Sequence, residues 1–195
     1  MHGERVMLQP PLSRAHRRIL GLIAPVGIEG DYHPLRRLVF APGCRAATYA
    51  HLETAGVARG GLLIGYTRTG TVHVHMILPA GYVGLLPAGD PLAVDASYVL
   101  GVVDAARLSS GEPLDWVGSW VMRADGRAVS ETADYEVWRR ARRRALVSSE
   151  VALVTVGQDP ERLIARAYVE DEGAPMPLEV VWEHGWEGER AWGPG

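Results

Sequence analysis

The chain has 195 residues, 47% hydrophobic and 22% charged, with a net charge of −3 and a pI near 6.2. That length suits one domain with a sizeable core, and the slight acidity gives no reason to expect nucleic acid or an anionic membrane as a partner. A single cysteine, Cys44, excludes an intrachain disulfide and a multi-cysteine zinc site and fits a reducing cytoplasm. There is no secretion leader and no apolar run approaching about 18 residues, so neither export nor a membrane span is expected. The abundance of Ala, Arg and Gly beside one Phe reads as a GC-rich bacterial coding sequence.

Residues 1–35 read as an N-terminal arm. Ser13 opens a short helix, RAHRRILGLIA, with Ile19, Leu20 and Leu22 on one side, and Pro25 to Gly30 breaks it. The arm either packs on its own domain or docks a partner. Leu38 to Phe40 predicts a strand, Pro42-Gly43 a turn, and Ala46 to Ala55 a helix. Gly61 to Tyr66 and Thr71 to Pro79 predict two strands joined by a hairpin at Thr69-Gly70. Alternation along the second strand puts His73 and His75 on one face. That His-x-His pair can ligate a metal, or it can be the polar face of an exposed strand.

Residues 80–94 form a loop punctuated by Gly and Pro, after which Asp95 caps a helix running to about Ser109 with Tyr98, Val99, Val102, Val103 and Ala106 on one face, and Gly111-Glu112-Pro113 ends it. From Trp116 a strand of large and β-branched residues leads into a polar loop, RADGRAVSETAD, where Ser130 or Thr132 caps the next helix. That helix carries Arg139, Arg140, Arg142, Arg143 and Arg144. Without interleaved aromatics in an acidic domain, these read as an exposed face rather than a nucleic-acid surface. Val151 to Val156 predicts a central strand, Gly157 to Pro160 a turn, and Leu163 to Val169 and Leu178 to Trp182 two more strands about an acidic turn. The tail, 184–195, is Gly-rich with Trp186 and Trp192, either tucked onto the domain or anchoring a partner.

Two stretches carry a family resemblance. One is Gly60-Gly61-Leu62-Leu63-Ile64-Gly65. The other is Gly118-Ser119-Trp120, then Asp125-Gly126, then Ser130-Glu131-Thr132-Ala133-Asp134. Together they resemble the JAB/MPN (JAMM) metalloprotease family over residues 38–181. By that resemblance Val121 and Arg123 occupy the two zinc-histidine positions, and Asp134 keeps the acidic ligand position eleven residues after Arg123. Ala58 stands where the family has its catalytic Glu. Ala124 replaces the family Pro, and Ser130 falls one place early, with Glu131 in its slot. A hydrolytic zinc site needs about three protein ligands and an open position for water. Valine cannot ligate, arginine adds a permanent positive charge where the cation would be, and alanine removes the general base.

The expectation is therefore an α/β fold, a mixed and largely antiparallel sheet flanked by helices in the JAB/MPN (cytidine-deaminase-like) architecture, spanning residues 36–183. The resemblance implies a catalytically inactive binding or scaffold subunit with no cofactor. Its partner would be a ubiquitin-like protein or another JAB/MPN subunit, in a homo- or heterodimer, in the cytoplasm. The groove would run beside Trp120, Arg123 and Asp134. Two alternatives stand beside it. One is a metal-dependent peptidase or isopeptidase with a relocated site, His73 and His75 joined by Asp134 or Asp90; the other is an unrelated α/β binding domain.

Overall fold

A computed structural model describes residues 12–22, 33–52, 59–81, 90–128, 130–160 and 162–183. Among these, seven strands and four helices run in the order α1 (Arg14–Ile19), β1 (Arg37–Phe40), α2 (Pro42–Leu52), β2 (Arg59–Arg68), β3 (Thr71–Pro79), α3 (Ala96–Ser110), β4 (Asp115–Arg127), α4 (Glu131–Arg143), β5 (Ala152–Asp159), β6 (Arg162–Asp171) and β7 (Ala174–Trp182). The strands form a closed barrel in the order β1-β3-β2-β4-β5-β6-β7. The expected sheet with two edges lying between helices is thus overturned. β1 pairs in parallel with β3 on one side (Phe40↔Val74) and with β7 on the other (Phe40↔Trp182), which joins the two ends of the sheet. No helix among the described residues is long and apolar enough to cross a membrane.

Closure divides the apolar residues into two sets by strand alternation. One face points into the barrel and packs Leu38, Phe40, Leu63, Val74, Trp120 and Val154 together. The other packs Leu62, Ile64, Trp116, Val121 and Leu153 with Val99 and Val103 of α3 and Trp138 of α4. β5 is apolar on both faces because each is covered, which is why it reads as a central strand.

Local signals set the connections. Thr69 and Gly70 both have positive φ (49° and 74°), as do Glu172 and Gly173 (47° and 83°), so two-residue turns join β2 to β3 and β6 to β7. Asp95 caps α3 by accepting from the Tyr98 amide at 3.0 Å, and Gly111 ends that helix at a left-handed φ of 67°. α2 begins earlier than expected, because Pro42 opens the helix instead of turning the chain. β5 likewise runs through the predicted turn at Gly157 to Asp159.

The arm helix α1 is held on its own barrel. Ser13 caps it, and the Asp115 carboxylate accepts from the Arg14 amide at 2.5 Å and the Ala15 amide at 3.1 Å. The Arg18 guanidinium stacks over the Trp116 ring, 4.4 Å from its centroid, and donates to the Ala145 carbonyl. Burial, then the neighbouring Arg14 charge, lowers the Arg18 pKa to about 10. The break expected at Pro25 to Gly30 and the tail 184–195 lie outside the described residues.

Candidate functional site

The predicted polar loop after Met122 begins as strand, since Arg123 to Arg127 belong to β4. β4 pairs with β5 in parallel from Gly118↔Ala152 to Met122↔Val156 and resumes at Arg127↔Gln158, so four residues, 123 to 126, bulge out opposite Gly157. Gly126 makes the turn at φ +65°. Asp125 closes it: its carboxylate accepts from the Arg127 amide at 3.1 Å and from the Arg123 guanidinium at 3.3 Å. The Arg127 amide, ahead of the Arg123 side chain, holds the Asp125 carboxyl below the usual carboxylate range. Gly157 is required where it is, because a Cβ there would lie 2.4 Å from the Ala128 backbone nitrogen.

Beside this bulge, the outer face of β4, β5 and β6 and one side of α4 line a cavity of about 200 Å³ that opens to solvent. Val121, Thr155 and Ile164 line it from the sheet, Asp134, Val137 and Arg140 from α4, and Pro91 from the loop ahead of α3. Arg123, Arg127 and Arg166 also line it. Four arginines and one acidic residue therefore share a small cavity with otherwise largely apolar walls.

Asp134 lies in the first turn of α4 and is fully buried. Its Oδ2 accepts from Arg166 Nε at 2.5 Å and from the Tyr168 hydroxyl at 3.0 Å, while Oδ1 has no hydrogen-bond partner among the described residues. Burial works against the Arg166 charge, but the hydrogen bond and charge of Asp134 outweigh it and raise the Arg166 pKa. Burial, and then the Asp134 charge, raises the Tyr168 hydroxyl well above its ordinary value of 10.0. A raised value means the fold favours neutral tyrosine. That stabilisation is fully present below pH 10 and is lost as pH rises through the folded value. In a spectrophotometric titration, Tyr168 should ionise last and together with alkaline unfolding. Tyr168→Phe should remove that final step; an unchanged titration curve in the variant would refute the assignment.

Val121, Arg123 and Asp134 line the same cavity. Trp120 is a correction. It is next to Val121 in sequence, so alternation turns it into the barrel, where it is 2% exposed and donates from Nε1 to the Leu78 carbonyl at 2.8 Å. It therefore does not line the groove. Ser130 is the α4 cap, its Oγ accepting from the Ala133 amide at 3.4 Å. Ala58 lies outside the described residues.

His73 and His75 share the outer face of β3, where both rings pack on Tyr66. His75 Nδ1 is 3.8 Å from Glu112. Asp90 is engaged elsewhere, 2.7 Å from Arg144 and 3.6 Å from Arg140. The described residues bring no group of three His, Cys, Asp or Glu close enough to hold a metal ion, so the relocated His73, His75 and Asp134 or Asp90 set does not converge. Sequence reasoning missed Arg166 and Tyr168. The signal was there: alternation in β6 puts both on the Ile164 face, and a charged residue within an otherwise apolar strand needs a partner.

No family model matches this chain, and no curated protein matches it. Among solved structures, it is similar to the solution structure of protein DSY2949 from Desulfitobacterium hafniense. The TM-score is 0.57 at 13% identity, over 78% of this chain and 97% of that one. The likeness is one of fold.

Proposed function

We propose that this chain is a binding domain, a degenerate JAB/MPN-like protein that receives the anionic end of a partner's tail in the cavity between β4 and α4. One observation carries the reading. Arg123, Arg127, Arg140 and Arg166 line a cavity whose acidic residue, Asp134, is already paired with Arg166. Arg127 has no carboxylate partner among the described residues, and Arg123 has only its neighbour Asp125, at an exposed surface where such a pair holds weakly. Arginine's planar fork matches a carboxylate in two parallel hydrogen bonds.

The GGLLIG and GSW…SETAD frames support this reading at the level of the site and not of the architecture. By them the partner is a ubiquitin-like protein or an active JAB/MPN subunit in a bacterial cytoplasm, with the chain acting as a scaffold. Val121 in place of a ligand and arginine in place of another argue against hydrolysis at this cavity by the ancestral chemistry.

The test is an NMR titration with acetyl-trialanine, free acid against C-terminal amide. The acid should shift signals of Arg127, Thr155 and Gly157, and the amide should bind at least about tenfold more weakly, the loss expected for one charge-assisted hydrogen bond. Arg127→Ala and Arg123→Ala should each weaken the acid similarly. Equal binding of acid and amide, or variants that bind the acid as well as the parent, would remove the proposal.

A further inference from the structure

The unsatisfied oxygen of Asp134 narrows what the cavity accepts. A buried polar atom without a partner costs on the order of 1–3 kcal/mol, and native structures rarely leave one unexplained. Asp134 Oδ1 is such an atom, on a fully buried side chain that lines the cavity. Ionised, it only accepts, so whatever satisfies it must donate. We infer that the ligand is a peptide C-terminus that presents two groups together: its carboxylate to the cavity arginines, and the N–H of its last peptide bond to Asp134 Oδ1. This rests on the anion reading above and deepens it.

The alternatives fit the same atoms less well. Sulfate satisfies the arginines but brings no donor, and inorganic phosphate, though it keeps a P–OH at neutral pH, sets further negative oxygens beside Oδ1. A free amino acid brings a donor, but as an ammonium. The Asp134 charge is already balanced by Arg166, Arg123 and Arg140 are paired with Asp125 and Asp90, and Arg127 has no carboxylate partner among the described residues, so a second cation there meets like charge. A neutral amide N–H meets the acceptor without that repulsion. The carboxylate and the amide of a terminal residue are separated by one Cα, and a cavity of about 200 Å³ holds such an end group and not a folded domain. Its apolar walls, Val121, Val137 and Ile164, suit a small aliphatic side chain on that residue.

The test changes the ligand and leaves the protein intact. Acetyl-trialanine is compared with the same peptide methylated on its last peptide nitrogen, and with inorganic phosphate and free alanine, all followed by NMR titration of the full chain. The expected order is acetyl-trialanine strongest, with the N-methyl peptide, phosphate and alanine each at least about tenfold weaker. An N-methyl peptide that binds as well as its parent, while the C-terminal amide does not, overturns this inference and leaves the anion reading standing. Phosphate competing as strongly as the peptide does the same. No shift with acetyl-trialanine at millimolar concentration overturns both.

Discussion

Replacing Phe40 with alanine should destabilise the protein by about 3–5 kcal/mol, the range for deleting a fully buried aromatic. Phe40 is completely buried in the barrel, and its ring stacks on Trp182 with centroids 4.2 Å apart and planes 17° apart. Its strand has four residues, yet it joins β3 to β7 and so closes the sheet. The neighbouring hydrogen bonds continue the closure, Ala41 N–H to the Val74 carbonyl and Glu183 N–H to the Phe40 carbonyl, both 2.9 Å. A cavity at this position weakens a four-residue strand whose loss would leave two open sheet edges. In urea the midpoint should fall, with the slope unchanged as long as the barrel stays closed. A change at Leu108, 88% exposed, should by contrast stay within about 0.5 kcal/mol. A Phe40→Ala loss below about 1 kcal/mol would mean that closure does not depend on this side chain.

That closing contact is also the part of the fold the sequence hides. β1 pairs with β7 across some 140 residues, Arg37 with Glu179. Nothing in the pattern of either strand says whether two sheet edges meet. A covered outer face and a filled interior leave the same near-continuous apolar runs as a sheet buried between helices. Local devices were legible because they are chemical: the positive-φ turn at Thr69-Gly70, the Asp95 and Ser130 caps, and the Gly111 stop. The bulge at 123 to 126 reads as loop because Asp and Gly mark turns, yet Arg127 rejoins the ladder opposite Gln158. Of the positions the resemblance names, Val121, Arg123 and Asp134 line one cavity. The expected groove failed where parity matters, since Trp120 is one residue away from Val121 and therefore faces the opposite side. Arg166 and Tyr168 come from β6, beyond any local motif, and only the pairing of β5 with β6 brings them to Asp134.

Asp134→Ala should cost about 3 kcal/mol, near the low end of the range for breaking a buried ion pair. The removal strands two partners at once. Tyr168 loses the acceptor of its buried hydroxyl, and Arg166 loses the carboxylate 2.5 Å from its Nε. The low end is expected because the Arg166 side chain keeps 28% of its exposure and can turn its charge toward water. A double replacement separates stranding from packing. Apolar side chains at both positions remove the pair without leaving a charge behind, so Asp134→Leu with Arg166→Leu should be less destabilised than Asp134→Ala alone. If Asp134 is instead a leftover of a metal site with no part in the fold, the alanine variant should stay within about 0.5 kcal/mol of the parent. The double variant would then show no coupling. Asp134→Asn keeps the side-chain shape and an acceptor for Tyr168 but drops the charge facing Arg166. It should fall between parent and alanine in thermal or urea unfolding, and an asparagine variant as unstable as the alanine would assign the whole effect to charge.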